Sequence, residues 1–530
     1  MKMTLFKQSM LLLALLCGIS SCINDDVPAG THEVGKDDPD GNVIFEMIVP
    51  NNTSTLTKAE TTETSGVYET GSVDEYKVHN VTVFLFDAQT GAFRQSFYLS
   101  DLDLVSGSPI IGGSQTDTNQ ATSEQSQHQV CYQSRTLKVE DEGSYNIYAV
   151  ANKTYAQPAN EIEFLNSIDN SSYNTGWINL DTSKGFIMTT RADNSGLYAS
   201  NYTGTNRNVQ LVKRLTTAEP TRVKLVLERA VAKVLVGRSA DQFQLTKQDG
   251  TQSVYATVSL TDYAPLNLST QFYRHRHVAN FSGFPTSIPT NVPANFGEVS
   301  GTNGYVVDPY FLKKTVEGAA NFTNPDGYYA YPLGGSLNWN QINTSTFSFF
   351  YCLENCMYQT AQKNAYSTGV HFRAKLIPTL ITTLGGSTST STNSSVLYYA
   401  NYTFFDSWAA LTERIDVSNA GVSDGSTDQD LARVGIKRFK RESNGNFYCY
   451  YNYWIRHLDN NDPTTMGIME FAIVRNNIYR LLVSGVSDLG SGSPEVIPGQ
   501  DDEYGVKLEI SFCVLPWIVR NQGGSGGVIL

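Results

Sequence analysis

Asn42 to Ala59 reads NVIFEMIVPNNTSTLTKA, and the fold turns on its first eight residues. Val43, Phe45, Met47 and Val49 alternate with Asn42, Ile44, Glu46 and Ile48, so apolar residues occupy both faces around one acid. A period of two with apolar residues on both faces suits a strand buried on both sides, here at a sheet edge. Pro50 ends the strand, because proline cannot donate to a ladder. The spacer Asn51–Thr57 is rich in Asn, Ser and Thr, the composition of an exposed loop open to proteolysis. Lys58 is the first basic residue after the strand. One reading is an ordinary first strand followed by a loop. The other is a removable strand: a protease cuts between Lys58 and Ala59, the strand leaves, and another subunit's strand fills the gap.

Composition sets the class around this stretch. A chain of 530 residues has room for several domains. Tyr 30 and Phe 25 supply aromatic core, and charged residues are only 17%. The apolar runs are short and separated by Gly, Ser, Thr and Asn, which favours β structure. A formal net charge of −13 argues against a nucleic-acid partner, since phosphate binding needs a basic surface.

Residues 1–21 are read as a targeting segment. Lys2 and Lys7 form a basic start, Met10–Leu16 an apolar stretch too short for a permanent membrane helix. It closes on Ile19-Ser20-Ser21-Cys22, which resembles the bacterial lipobox, so Cys22 is the expected lipidation site and the precursor an outer-membrane lipoprotein. Cys17 has poorer flanks. Asn24-Asp25-Asp26 resembles the acidic surface-export signal of such lipoproteins. The later cysteines, Cys131, Cys352, Cys356, Cys449 and Cys513, are odd in number and scattered, which reads as buried free thiols; Cys352 and Cys356 are spaced for a local bridge or a metal half-site, but no second CxxC or HxxxH completes a zinc site.

Further along, strands are expected at Val78–Phe86, Phe93–Tyr98, Gly143–Ala151, Phe186–Thr189 and Val209–Val212, with a short helix over Glu161–Ile168. In Val223–Val236, VKLVLERAVAKVLV, the alternation changes phase at Glu228-Arg229. Such a strand must bulge or pass from one sheet to another. The domain boundary is placed there, giving a propeptide over 22–58 and domains over 59–228 and 229–530. The second half offers strands at Val254–Leu260, Phe347–Cys352, Val370–Leu376, Asn446–Trp454, Asn477–Val483 and Val506–Val514, and a helix over Phe405–Thr412. The C-terminus continues from that last strand to a glycine-rich hinge, Gly523–Gly527, and the apolar Val528, Ile529 and Leu530, which suit a donor strand for another subunit.

Val81–Gly91 (VTVFLFDAQTG), Tyr145–Lys153 (YNIYAVANK), Leu227–Val236 (LERAVAKVLV), Ala472–Val483 (AIVRNNIYRLLV) and Val514–Trp517 (VLPW) together resemble the Bacteroidales fimbrillins, of the Mfa-like major shaft type. The resemblance implies an all-β protein of two transthyretin-like β-sandwich domains with long loops and a few short helices. It also implies a lipoprotein precursor whose first strand is removed by a trypsin-like, arginine-specific protease. The opened groove then takes the C-terminal strand of the next copy. Partners would be copies of itself, anchor and tip subunits and the processing protease, in an adhesive fimbrium at the cell surface. The chain departs from the pattern: no arginine lies between Cys22 and Arg94, so the cleavage role falls to Lys58, with Lys36 and Lys77 as lesser candidates.

No GxSxG, P-loop or GxGxxG motif is present, and no enzyme or cofactor is expected. His275-Arg276-His277 has metal-binding spacing but lacks further ligands nearby, and Asp459–Asp462 lacks the glycine and glutamate of a calcium loop. A different function, a monomeric surface lipoprotein that binds glycans, would use Tyr450, Tyr451, Tyr453 and Trp454 as exposed sugar platforms.

Overall fold

The computed structural model describes residues 36–49, 73–100, 110–111, 130–171, 183–191, 208–212, 219–278, 306–316, 324, 327–343, 346–457, 462, 465–467, 469–502 and 507–516. The protein is all-β, built as β-sandwiches with a few short helices.

The N-terminal strands are β1 (Val43–Val49), β2 (Asn80–Asp87), β3 (Phe93–Ser100), β4 (Ile110–Ile111), β5 (Val130–Gln133), β6 (Gly143–Ala151), β7 (Met188–Thr190), β8 (Val209–Leu211) and β9 (Thr221–Arg229). They run β3-β2-β6-β7-β9-β1-β5-β4, with β8 added to β6. The path folds over at β9. Its first part, Thr221–Val226, pairs with β1, while Leu227–Arg229 pair with β7. Two layers therefore face each other. Val43, Phe45, Met47 and Val49 meet Val81, Val83, Leu85, Phe97, Ile147, Leu225 and Leu227 between them. The alternate residues of β2 and β6, Phe84, Phe86, Tyr148 and Val150, turn the other way into a second core continuous with the C-terminal half.

The C-terminal strands are β10 (Val231–Arg238), β11 (Phe243–Thr246), β12 (Val254–Leu266), β13 (Ser348–Leu353), β14 (Gly369–Pro378), β15 (Val396–Ala400), β16 (Thr403–Phe405), β17 (Lys437–Lys440), β18 (Phe447–Trp454), β19 (Asn477–Val486) and β20 (Leu508–Pro516). One sheet runs β13-β10-β19-β20 and the facing one β11-β12-β14-β18. The phase change at Glu228-Arg229 is a passage between sheets: β9 ends at Arg229, Ala230 is the only link, and β10 begins in the other sandwich.

Several local expectations needed correction. β1 lies inside its sheet, parallel to β9 and antiparallel to β5, and not at an edge. The first helix stops at Leu165 after its Asn160 cap, and Ile168–Asn170 is a strand paired with Gln271–Tyr273. The second helix starts at Trp408, capped by Ser407, because Thr403–Phe405 pair with β15. β12 runs through Pro265 to Leu266, its register shifting between Leu260 and Asp262. Between β14 and β18 the chain builds a small extra sheet from Thr388–Ser389, Ile381–Thr382, β16, β15 and β17, with its own core of Tyr398, Phe405, Leu411 and Leu431. Cys352, Cys356 and Cys449 are free and buried, and burial pushes the Cys449 thiol up to about 11.

Candidate functional site

The site is the slot that β1 fills. Alternation of apolar residues puts Val43, Phe45, Met47 and Val49 on the inner face, and all are 0% exposed. Val223, Leu225 and Leu227 of β9 form one wall, Tyr132 of β5 belongs to the other, and Leu137, Val139, Phe97 and Leu99 lie in the same core. The Phe45 ring meets Phe97 at 5.7 Å, tilted by 53°. Burying such side chains is worth about 1.5–3 kcal/mol each, so the strand contributes on the order of 10 kcal/mol before entropy.

Polar contacts fix the register. The Asn42 side chain accepts from the Val139 N–H at 2.8 Å and donates to the carbonyls of Val139 at 3.3 Å and Val212 at 3.2 Å. Ser134 closes a small ring on Phe45: its hydroxyl accepts from the Phe45 N–H at 2.9 Å, and its own N–H donates to the Phe45 carbonyl at 2.8 Å. On the outer face Glu46 pairs with Arg222 at 2.8 Å and lies opposite Lys224. That pair is partly exposed and contributes little to stability, but it marks one position along the strand.

After the segment that follows β1, the chain is fastened again at Glu75. Its carboxylate takes Lys233 Nζ at 2.8 Å and the Tyr351 hydroxyl at 2.6 Å, and its carbonyl accepts from Arg229 Nε at 2.7 Å. Arg229 also donates to Asn476 Oδ1 at 3.0 Å and is fully buried; burial lowers its pKa to about 10 against the pull of Glu75. Beside it Arg276 pairs with Glu228, and Arg475 donates to Glu354 at 2.7 Å and to the Tyr273 carbonyl at 2.7 Å. This buried ionic seam joins β9, β10 and both sandwiches. Sequence reading missed it, because scattered Glu and Arg residues carry no local period. The single signal was Glu228-Arg229 in the middle of an apolar run.

Val43, Phe45, Met47 and Val49 are thus brought together in one slot. Cys22, Lys58, Ala59, Val528, Ile529 and Leu530 lie outside the described residues, while Lys36 and Lys77 are exposed. Tyr451, Tyr453 and Trp454 are buried, and Tyr450 is half-buried with its hydroxyl donating to Glu442 at 2.9 Å. Three of the four aromatics offered as a sugar platform are therefore core. His275 and His277 take separate partners: His275 meets the edge of Tyr148 at 5.4 Å, and His277 Nε2 lies 2.7 Å from the Leu165 carbonyl. Among the described residues no three His, Cys, Asp or Glu side chains gather as a metal site.

An all-β subunit whose first strand is interior to its own sheet is the class that fold and slot define. Residues 45–229 match the family of the major fimbrial subunit protein (FimA), and residues 445–523 match the C-terminal region of fimbrillin, the type IV major fimbrial subunit protein. The two matches place the chain among the fimbrillins, subunits of the bacterial fimbrium. No curated protein matches significantly in sequence. Similar solved structures include a candidate cell adhesion protein from Parabacteroides distasonis, 12% identical over 90% of this chain and 99% of that one, TM-score 0.40. One from Bacteroides eggerthii is 12% identical over 92% and 99%, TM-score 0.36. The tip fimbrial protein Mfa3 from Porphyromonas gingivalis, with a C-terminal truncation, is 11% identical over 90% and 100%, TM-score 0.34.

Proposed function

We propose that this fimbrial subunit is a shaft subunit of the Mfa-like type, polymerising by protease-triggered strand exchange. The precursor is lipidated at Cys22 and reaches the outer membrane through the periplasm. A lysine-tolerant protease cuts between Lys58 and Ala59, β1 leaves, and the C-terminal segment of another copy, ending in Val528, Ile529 and Leu530, takes the slot. The resulting filament carries anchor and tip subunits and mediates adhesion at the cell surface. Residues 59–228 and 229–530 form the two domains that remain.

One observation carries this reading. β1 lies between two other strands of its sheet, and the covalent connection that follows it crosses the Asn/Ser/Thr spacer before the chain is fastened again at Glu75. Replacing one apolar strand by another conserves main-chain hydrogen bonds and side-chain burial, so exchange is near-neutral. Cleavage gives it direction by removing the local competitor.

Trypsin treatment of the protein from Cys22 onward tests the reading. Ladders on a native gel are expected, and Lys58→Ala and deletion of Val528–Leu530 should each abolish them. Ladders that persist in both variants would refute it.

A further inference from the structure

Lys314, Asp308 and Asn355 meet in the interior of the C-terminal half. Asp308 follows the short strand Val306–Val307, which pairs with His277–Val278, and Lys314 lies on the helix Phe311–Val316 that comes next. Asn355 stands just beyond β13, its main chain bonded in both directions to Ile473 at 3.0 and 2.8 Å. The side chains of Lys314 and Asp308 are 0% exposed, and Asn355 is as deeply buried.

Lys314 Nζ donates to Asp308 Oδ2 at 2.6 Å, to Asn355 Oδ1 at 2.7 Å and to the Cys356 carbonyl at 2.9 Å. Asp308 Oδ1 accepts from the Tyr328 hydroxyl at 2.8 Å and the Tyr310 N–H at 2.7 Å. Asn355 Nδ2 donates to the Tyr366 carbonyl at 2.7 Å and the Thr368 hydroxyl at 2.9 Å, and the Tyr329 hydroxyl lies 3.4 Å from Oδ1. Aromatic rings close the site: Tyr310 stacks on Tyr328 at 3.8 Å, and Tyr329 meets Tyr328 edge-on at 4.8 Å. An amine, an amide carbonyl and a carboxylate able to carry protons therefore touch one another in a dry pocket. Burial lowers the Lys314 pKa against the pull of Asp308, which favours the neutral, nucleophilic amine. Asn355 Cγ lies one bond beyond Oδ1, so the fold itself brings the reacting atoms together.

We propose that Lys314 and Asn355 join through an intramolecular isopeptide bond, with Asp308 as the proton carrier. Asp308 takes a proton from the Lys314 ammonium. The freed amine attacks Asn355 Cγ, and the carbonyl electron pair moves onto Oδ1, which faces the Tyr329 hydroxyl. Asp308 then hands its proton to Nδ2, the pair on Oδ1 returns, the Cγ–Nδ2 bond breaks and ammonia leaves. Nζ gives its second proton to Asp308, which stays on the new amide as a neutral acid. One C–N bond has formed and one has broken, nothing is oxidised or reduced, and no charge remains buried. The bond ties the helix to the end of β13 across 41 residues. Like a disulfide it takes freedom from the unfolded chain, but no reductant opens it.

A peptide map of the purified full chain, unfolded and digested with trypsin, tests the bond. No Lys or Arg lies between Lys314 and Lys363. An acylated Lys314 is not cut, so the expected product is a looped peptide from Lys314 to Lys363, lighter than its sequence by one ammonia. Lys314→Arg keeps a cation beside Asp308 and should be cut at that position, and Asn355→Ala should release Thr315–Lys363 at its full mass. Asp308→Ala should slow linkage in newly made chains by about a hundredfold or more; full linkage in that variant would overturn the part assigned to Asp308. The wild-type map decides the bond whether or not the variants fold. Cleavage after Lys314 with Thr315–Lys363 at its sequence mass would mean an ion pair alone and overturn the proposal. Loss of ammonia with cleavage after Lys314 would overturn it too, since Asn355 would then have closed on its own main chain.

Discussion

β1 and β10 hold the same place in their two sandwiches. Each lies beside a later strand of its own half that runs parallel to it, β9 for β1 and β19 for β10. Each has an antiparallel neighbour on the other side, β5 and β13 respectively. Both bury alternate apolar residues completely. The difference is covalent. β10 leaves β9 through Ala230 alone, preceded by Glu228 and Arg229, whose side chains are locked into the buried seam. β1 is first in the fold and leads into the Asn/Ser/Thr spacer with Lys58. Equivalent packing therefore goes with one strand fixed by its neighbours in the chain and one that, on the strand-exchange proposal, a single cut frees.

The comparison breaks first if β1 is dispensable. A chain lacking residues 36–49 should lose on the order of 10 kcal/mol of burial and fail to remain a folded monomer. Gel filtration with a dye that binds exposed apolar surface checks this; a well-folded, dye-silent monomer would contradict it.

The seam is expected to give the next largest effect. Glu75→Ala takes the carboxylate away from Lys233 and the Tyr351 hydroxyl and should cost about 3–5 kcal/mol. In denaturant the two halves should then unfold in separate steps where the wild type unfolds in one.

Phe45→Ala should cost a similar or slightly smaller amount, about 3–5 kcal/mol, felt only while β1 is present. After trimming, the variant and the wild type should be equally stable in the same denaturant series. Val236→Ala in β10 is the contrasting change, because its cost should persist after trimming.

Acid should act more gently, through two buried histidines of the C-terminal half. Burial lowers His275 to about 3 and His371 to about 4, so both are neutral in the folded protein. The unfolded chain binds their protons first, near the ordinary histidine pKa. Stability is therefore whole above about pH 6.5 and falls as pH drops towards 4, by about 2 kcal/mol per histidine at pH 5. His371→Gln should flatten that slope by about one proton in melts taken across the range.

Much of this was legible in the chain because it was written in periods. Alternation gave β1, β2, β6 and both strands of Val223–Val236, and the phase change at Glu228-Arg229 marked where the chain crosses between sheets. That β1 is interior was not legible, since an edge strand and a central one carry the same alternation when both faces are buried. The small sheet of β15, β16 and β17 was missed because its strands are short and separated by polar turns. The ionic seam was missed because its partners meet from distant sequence: Glu75 and Tyr351 are 276 residues apart. Three of the four aromatics of Tyr450–Trp454 are core, which is the commoner fate of an aromatic stripe on a strand.

Intact-mass analysis of subunits dissociated from assembled filaments tests the central claim most directly. Chains that begin at Ala59, with Val43–Val49 gone, are predicted. Subunits that still hold Phe45 and Met47 in covalent continuity with Glu75 would contradict it.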